Sequence, residues 1–233
     1  MMPGGCLSGT TTNILLNNLY MKDIYFIRHG QTERNQEHVH QHYDEPLSEQ
    51  GLEQARVLGE FVKTLNVTAL MTSPFARARQ TAEAVSVAIG LPYTIDVSVH
   101  ETVRPAYLYG KHHYSFATLR YLLNLFLHQS SNGWDDEGAE NMFDVRNRIH
   151  DTKDMITETD EDTIAIVSHA VFMDLFVHWV CAEKRMSLVR FVHMIIFIKK
   201  IPNTGILHIT FNPEAPSGVC PWQLVTLITP DQF

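Results

Sequence analysis

The chain reads as an α/β protein: a three-layer αβα sandwich on a mostly parallel central sheet, with an antiparallel edge and a helical lid insertion. Three observations predict this. Short apolar runs that read as buried strands alternate with helical stripes from residue 23 to residue 97. Polar residues fit for chemistry follow directly after several of those runs, where strand ends of an open sheet meet ligands. Two strand-like runs with no helix between them close the chain, which suits antiparallel pairing.

Each element has its own warrant. Residues 23–27 (Asp-Ile-Tyr-Phe-Ile) are apolar, β-branched and aromatic, and Gly30 breaks the run. Pro46-Leu47-Ser48 opens a helix with Ser48 as N-cap and Glu49 in the first turn, and Ala55, Leu58, Val62 and Leu65 form its buried stripe. Residues 67–71 are the next strand. Ser73-Pro74 predicts a second helix start, Ser73 as N-cap and Pro74 at the first helical position, with stripe Phe75, Ala78, Ala82, Val85, Ile89 and Gly90 as stop. Residues 93–97 form a third strand. Right-handed crossovers then make the sheet largely parallel. The pattern changes over residues 102–139, which read as an insertion over one sheet edge, with a helix at 116–127. A helix at 140–157 (stripe Met142, Val145, Ile149, Thr152, Ile156), a strand at 163–167 and a helix at 170–181 follow. Strands at 206–211 and 223–228 end the chain. Residues 21–233 are therefore expected to be one domain, and the Gly, Thr, Ser and Asn content of residues 1–20 predicts a flexible tail, with Met21 a candidate natural start.

Composition narrows the function classes. Apolar residues make up 45% of 233, enough for a sizeable core. The net charge of -8 argues against a nucleic-acid surface and against a polybasic membrane patch. Residues 171–181 and 188–201 are too short or too interrupted, by Asp174 and His178 or by Arg190, His193, Lys199 and Lys200, to span a bilayer, and both read as core elements. No secretory signal is evident in residues 1–20. Cys6, Cys181 and Cys220 are widely spaced with no metal-type or redox-type pairing, which suits a reducing cytoplasm.

Four groups follow strands: Arg28-His29, the segment 73–82 with Arg77, Glu101, and Ser168-His169. Strand carboxyl ends share one side of a parallel sheet, so these can converge. Two arginines, two imidazoles and one carboxylic acid suffice for phosphoryl transfer: one imidazole attacks phosphorus, cations hold the equatorial oxygens and the acid protonates the leaving oxygen. Gln31, Thr32 and Asn35 either join that cradle or organise the turn through side-chain to backbone bonds. Arg79 and Arg104 read as surface or supporting residues. His38, His40 and His42, like His112-His113, read as solvated loop rather than metal site.

The motifs have a family resemblance. Arg28-His29-Gly30-Gln31-Thr32-Glu33-Arg34-Asn35 is similar to the signature of the histidine phosphatase superfamily, the phosphoglycerate-mutase-like fold. Asp44-Glu45-Pro46-Leu47-Ser48-Glu49-Gln50-Gly51 matches the helix start that follows it. Ser73-Pro74-Phe75-Ala76-Arg77-Ala78-Arg79-Gln80-Thr81-Ala82 resembles its second motif, Glu101 its acid position and Val167-Ser168-His169 its last motif. Gly138-Ala139-Glu140 and Asp144-Val145 with Arg148 match the helix before that strand. Where the family has Gly after the last His, this chain has Ala170, tolerable on a helix with negative φ.

The resemblance implies that His29 becomes phosphorylated, that Arg28, Arg77 and protonated His169 clamp the phosphate with Gln31, Thr32, Asn35 and Ala170 around it, and that Glu101, its pKa raised beside a dianion, serves as acid and then base. No metal or other cofactor is expected, since Arg and His supply the positive charge. A segment of Gly-Trp-Asp type after the signature is missing, and residues 102–139 lack the mutase pattern. This points to a phosphatase acting on a small soluble phosphate monoester, with a phosphoglycerate mutase or a non-catalytic phospholigand-binding protein as alternatives. The apolar 116–127 helix, with few cations nearby (Arg104, Lys111, His112, His113), predicts monophosphates with an uncharged or partly apolar body over bisphosphates and phosphoglycerates. No nucleic-acid or membrane partner is expected, and a second copy of the chain is a candidate partner.

Overall fold

The structure, a computed structural model, describes residues 21–181, 185–198 and 200–233. The expected tail at residues 1–20, with Cys6, lies outside them. Strands β1 (Lys22–Arg28), β2 (Ala69–Thr72), β3 (Tyr93–Ile95), β4 (Thr163–Ser168), β5 (Ile206–Phe211) and β6 (Trp222–Ile228) form one sheet in the order β3-β2-β4-β1-β5-β6. The first four are mutually parallel, while β5 runs antiparallel to β1 and β6 antiparallel to β5.

Helices cover both faces. Alternation along β1 and β4 divides the core: Ile24, Phe26, Ile164 and Ile166 point to one layer, Tyr25, Ile27, Ala165 and Val167 to the other. The second layer is built by α2 (Glu49–Lys63) and α3 (Ala76–Ile89), whose Leu58, Val62, Ala78, Ala82 and Val85 are fully buried. α5 (Met142–Glu158), α6 (Ala170–Trp179) and α7 (Leu188–Ile198) fill the first, joined from the insertion by α4 (Phe116–Leu127). A four-residue helix α1 (Glu33–Gln36), too short to leave a periodic signal, follows the signature. Its N-cap is Thr32, whose hydroxyl accepts the Asn35 N–H.

The differences from the sequence reading are physical. Ser48 caps α2 as expected, accepting the Gly51 N–H at 3.1 Å. Ser73 does not cap α3: that helix begins at Ala76 with Phe75 as its uncapped N-cap residue, because the Ser73 hydroxyl accepts the Phe75 N–H and meets a histidine ring. The third strand stops at Ile95 and a 3-10 turn, Val97–Val99, follows. Cys181 and Cys220 form a disulfide across 39 residues of sequence, with Cα atoms 5.5 Å apart, so the lack of pairing read from spacing fails. Residues 188–201 are core only in part. α7 buries Phe191 and Met194 but exposes Leu188, Val189, Val192 and Ile196. Among the described residues no helix is long and apolar enough to cross a membrane.

Candidate active site

Register brings the site together. Arg28 is paired with Ser168 at the carboxyl ends of β1 and β4, and the His29 N–H donates to the Ser168 carbonyl at 3.1 Å. The two rings that follow, His29 and His169, stand 5.1 Å apart between centroids. β2 lies on the other side of β4, and the Ser73 N–H donates to the Val167 carbonyl, which brings Ser73 beside His169. The signature loop rests directly on the start of α2. A Cβ on Gly51 would fall 2.0 Å from the Gln31 carbonyl oxygen, and one on Gly30 2.6 Å from the Gly51 carbonyl oxygen, so this approach requires glycine at both places.

His29 is 4% exposed and held in one tautomer. Its Nδ1 donates to the Gly30 carbonyl at 2.7 Å, which leaves Nε2 as the lone-pair nitrogen, and that nitrogen accepts the Arg77 Nε–H at 3.2 Å. Burial, then the Arg77 and Arg28 charges, hold its pKa well below 6.5. His169 is held well below 6.5 as well, by burial first and Arg77 next. Its Nε2 meets the Ser73 hydroxyl at 2.7 Å, and its Nδ1 is buried with no hydrogen-bond partner among the described residues. Without an anion beside it, His169 is therefore neutral rather than the protonated clamp the resemblance implies. An anion placed beside the ring would reverse this.

Arg77 is buried and Arg28 half-buried, and loss of hydration brings each guanidinium down to about 10, still charged at neutral pH. Arg28 donates Nη1 to the Ile201 carbonyl at 2.6 Å, while its Nε is buried without a partner among the described residues. Arg77, in the first turn of α3, also donates Nη1 to the His42 carbonyl at 2.9 Å.

Glu101 lies between the 3-10 turn and the insertion. One carboxylate oxygen accepts the Thr102 and Phe172 N–H groups at 2.9 and 3.2 Å, the other the Val171 N–H at 3.4 Å, so it sits on the positive end of α6. Its field reaches both arginines. Ala170 is the first residue of α6 and adopts no positive φ, so the missing glycine is accommodated.

Gln31 and Thr32 serve the turn. The Gln31 side chain accepts from Gln36 at 2.6 Å, and buried Thr32 is the α1 cap. Asn35 has its oxygen engaged by Thr32 N–H and Asn203, and its Nδ2 makes no bond among the described residues. Arg104 makes no hydrogen bond among them, and its charge is felt by Arg77, His40 and His113. The histidine loop is not simply solvated: His40 is 5% exposed, its Nε2 2.9 Å from the Thr118 hydroxyl and its ring 4.7 Å from His113. Among the described residues no group of His, Cys, Asp or Glu is set to hold a metal ion.

Two features escaped the sequence reading. Ser73 is one. The other is the pair Glu140–Arg148, noted as a motif match but given no role. Arg148 grips the Glu140 carboxylate through Nε and Nη2 at 2.7 and 2.8 Å and donates Nη1 to the Ser98 and His100 carbonyls at 2.8 and 2.7 Å. Glu140 accepts the Val103 N–H at 3.1 Å. The segment carrying Glu101 is thus pinned on both sides.

Residues 24–219 match the family model of the histidine phosphatase superfamily, branch 1. The chain belongs to that superfamily. Over 82 residues it is 37% identical to the probable phosphoglycerate mutase GpmB of Citrobacter koseri, a match covering 35% of this chain and 38% of that protein. The superfamily fold is shared with the α-ribazole phosphatase of Shigella flexneri (TM-score 0.68, 18% identity, 89% of this chain and 96% of that one). It is shared as well with a phosphoserine phosphatase mutant of Entamoeba histolytica (TM-score 0.69, 18% identity, 91% and 98%) and a phosphoglycerate mutase of Bacillus anthracis (TM-score 0.63, 17% identity, 89% and 92%). These relatives are named as phosphatases and as mutases.

Proposed function

We propose that the protein is a metal-independent phosphatase that hydrolyses a small phosphate monoester through a phosphohistidine on His29. The observation that carries this reading is the His29 tautomer: Nδ1–H tied to Gly30 leaves a neutral Nε2 lone pair facing the buried Arg77 guanidinium, with the Arg28 charge also acting on the ring. Arg77 Nε–H must leave that lone pair for a phosphate oxygen when substrate enters. Nε2 then attacks phosphorus in line, forming the N–P bond as the ester P–O bond breaks. Arg28, Arg77, Asn35 and His169 take up the charge on the three equatorial oxygens, the last protonated by the dianion's field. Glu101, taking up a proton as the dianion enters, gives it to the leaving alkoxide. In the second half it removes one from water, which attacks the phosphohistidine and frees phosphate and His29.

An aromatic wall supports a preference for monoesters with an uncharged or partly apolar body. The Phe75 ring lies 5.1 Å from His169 and 5.6 Å from His100, with Tyr43 at 6.3 Å, and His42 lies 5.1 Å from Tyr109. The mutase reading, favoured by the 82-residue match, requires a lid that keeps the phosphoenzyme from water. Turnover of p-nitrophenyl phosphate in EDTA, with acid-labile phosphate trapped on His29, tests the proposal. Interconversion of 2- and 3-phosphoglycerate faster than any hydrolysis would replace it by the mutase, and no turnover of any ester by a binding-only protein.

A further inference from the structure

We infer that α4 and α7 together form a docking face for an anionic lipid surface. The helices are neighbours: the Phe126 and Phe191 rings lie 5.2 Å apart, and Gln129 at the end of α4 exchanges hydrogen bonds with the Met186 backbone just before α7. Their inner sides feed the core. Their outer sides do not. Leu119, Leu123 and Leu127 on α4 and Leu188, Val192 and Ile196 on α7 are exposed, from 46% (Val192) to 64% (Leu119). Such a surface on two adjacent helices needs an occupant.

Charge identifies it. None of the 26 acidic residues lies in segments 102–134 or 184–213, which contain these helices, whereas eight of the 18 Lys and Arg residues do. Arg120, Arg185, Arg190 and Lys200 are exposed beside the apolar rows. A net charge of -8 thus conceals a face that is cationic and apolar at once, which is why whole-chain charge argued against a membrane. An amphipathic helix with cations flanking its apolar side is the kind that lies in a headgroup layer, its apolar residues among the upper acyl chains. A second copy is the poorer occupant. A two-fold contact would set Arg190 and Lys200 against their own copies, and the acid beside Arg120, Asp136, is already engaged by the Tyr107 hydroxyl at 2.7 Å.

The test uses the full chain with sedimenting vesicles of phosphatidylcholine alone or with phosphatidylglycerol, and its mass in solution by light scattering. Binding to the anionic vesicles and not to neutral ones is expected, released by 0.5 M salt. Arg190→Gln and Lys200→Gln should each weaken it about fivefold. Leu123→Glu and Val192→Glu, at exposed positions, should abolish it while leaving p-nitrophenyl phosphate turnover and melting temperature as they are. Three results would overturn the inference: no sedimentation with anionic vesicles, binding indifferent to these substitutions, or a wild-type dimer that Val192→Glu converts to monomer.

Discussion

Removing the Arg148 guanidinium should separate fold stability from catalysis. Its side chain and that of Glu140 are 9% and 13% exposed, so Arg148→Met leaves a buried carboxylate with only the Val103 N–H, and the Ser98 and His100 carbonyls each lose a donor. Removing one partner of a buried pair costs roughly 3–5 kcal/mol, a large part of a typical stability of about 5–15 kcal/mol. For a chain of this size that lowers Tm by about 10 °C. The same change frees the segment holding Glu101, and a misplacement of about 1 Å can cost about 10²-fold in rate. kcat for an alkyl phosphate should therefore fall about 10- to 100-fold, and that for p-nitrophenyl phosphate much less, because nitrophenolate leaves unprotonated. The double variant Arg148→Met/Glu140→Leu removes both charges and should recover most of the stability without recovering kcat. Urea unfolding and steady-state kinetics on both esters read the two effects. A loss under about 1 kcal/mol, or a double variant that restores both quantities, would refute the positioning role.

Glu101→Gln should slow alkyl phosphate hydrolysis far more than p-nitrophenyl phosphate hydrolysis, and equal losses would remove Glu101 from the acid role. Arg77→Ala should lower kcat by roughly 10²–10³ at saturating substrate, whereas an unchanged kcat with raised KM would show that it only binds. Because burial and two arginines hold His29 well below 6.5, kcat/KM should show no loss from its protonation between pH 7 and 6, and an acid limb centred at 6.5 would contradict that electrostatic picture. Stability moves the other way. The unfolded imidazoles titrate near 6.5 and His29, His169 and His113 (brought down to about 4 in the fold) titrate lower, so below pH 6.5 the unfolded chain binds the extra protons and the fold weakens. The slope is up to about 1.4 kcal/mol per pH unit for each imidazole, and a urea midpoint that does not fall from pH 7 to 5.5 would oppose it. Binding of sulfate, dianionic throughout, should draw about one proton onto the protein at pH 7 as His169 charges, read by calorimetry in buffers of different ionisation enthalpy. No uptake would mean His169 stays neutral.

What the sequence made legible was local. β1 and its signature occupy one contiguous run, and the helix stripes of α2, α3 and α5 repeat at 3.6 residues, so strand ends and buried faces could be read directly. The rest depended on partners distant in the chain. Ser73 has the residue type and setting of a cap, and only the neighbouring position of β4 shows that its hydroxyl meets His169, 96 residues away. Cys181 and Cys220 become partners because the segments after α6 and before β6 meet. His40 is buried because the insertion folds back over the signature loop, setting Thr118 and His113 against it. The hydrophobicity of α7 was plain, but only its packing shows that Phe191 and Met194 enter the core while Leu188, Val192 and Ile196 stay exposed.

The electrostatics of the site explain why an imidazole can be a nucleophile in such a cationic place. Two guanidiniums would ordinarily be a poor setting for a base, yet burial first and the Arg77 and Arg28 charges next keep His29 unprotonated, which is the form that attacks in the proposed mechanism. The cost is that Arg77 Nε–H is bonded to the lone pair that must react. A dianion removes this block because its oxygens accept from Arg77 more strongly than a neutral nitrogen does. The same dianion would offer an acceptor to Arg28 Nε and a counter-charge to His169, whose Nδ1, like Arg28 Nε, has no partner among the described residues. In the proposed mechanism, substrate binding and the freeing of His29 Nε2 are thus one event, driven by the charge of the dianion.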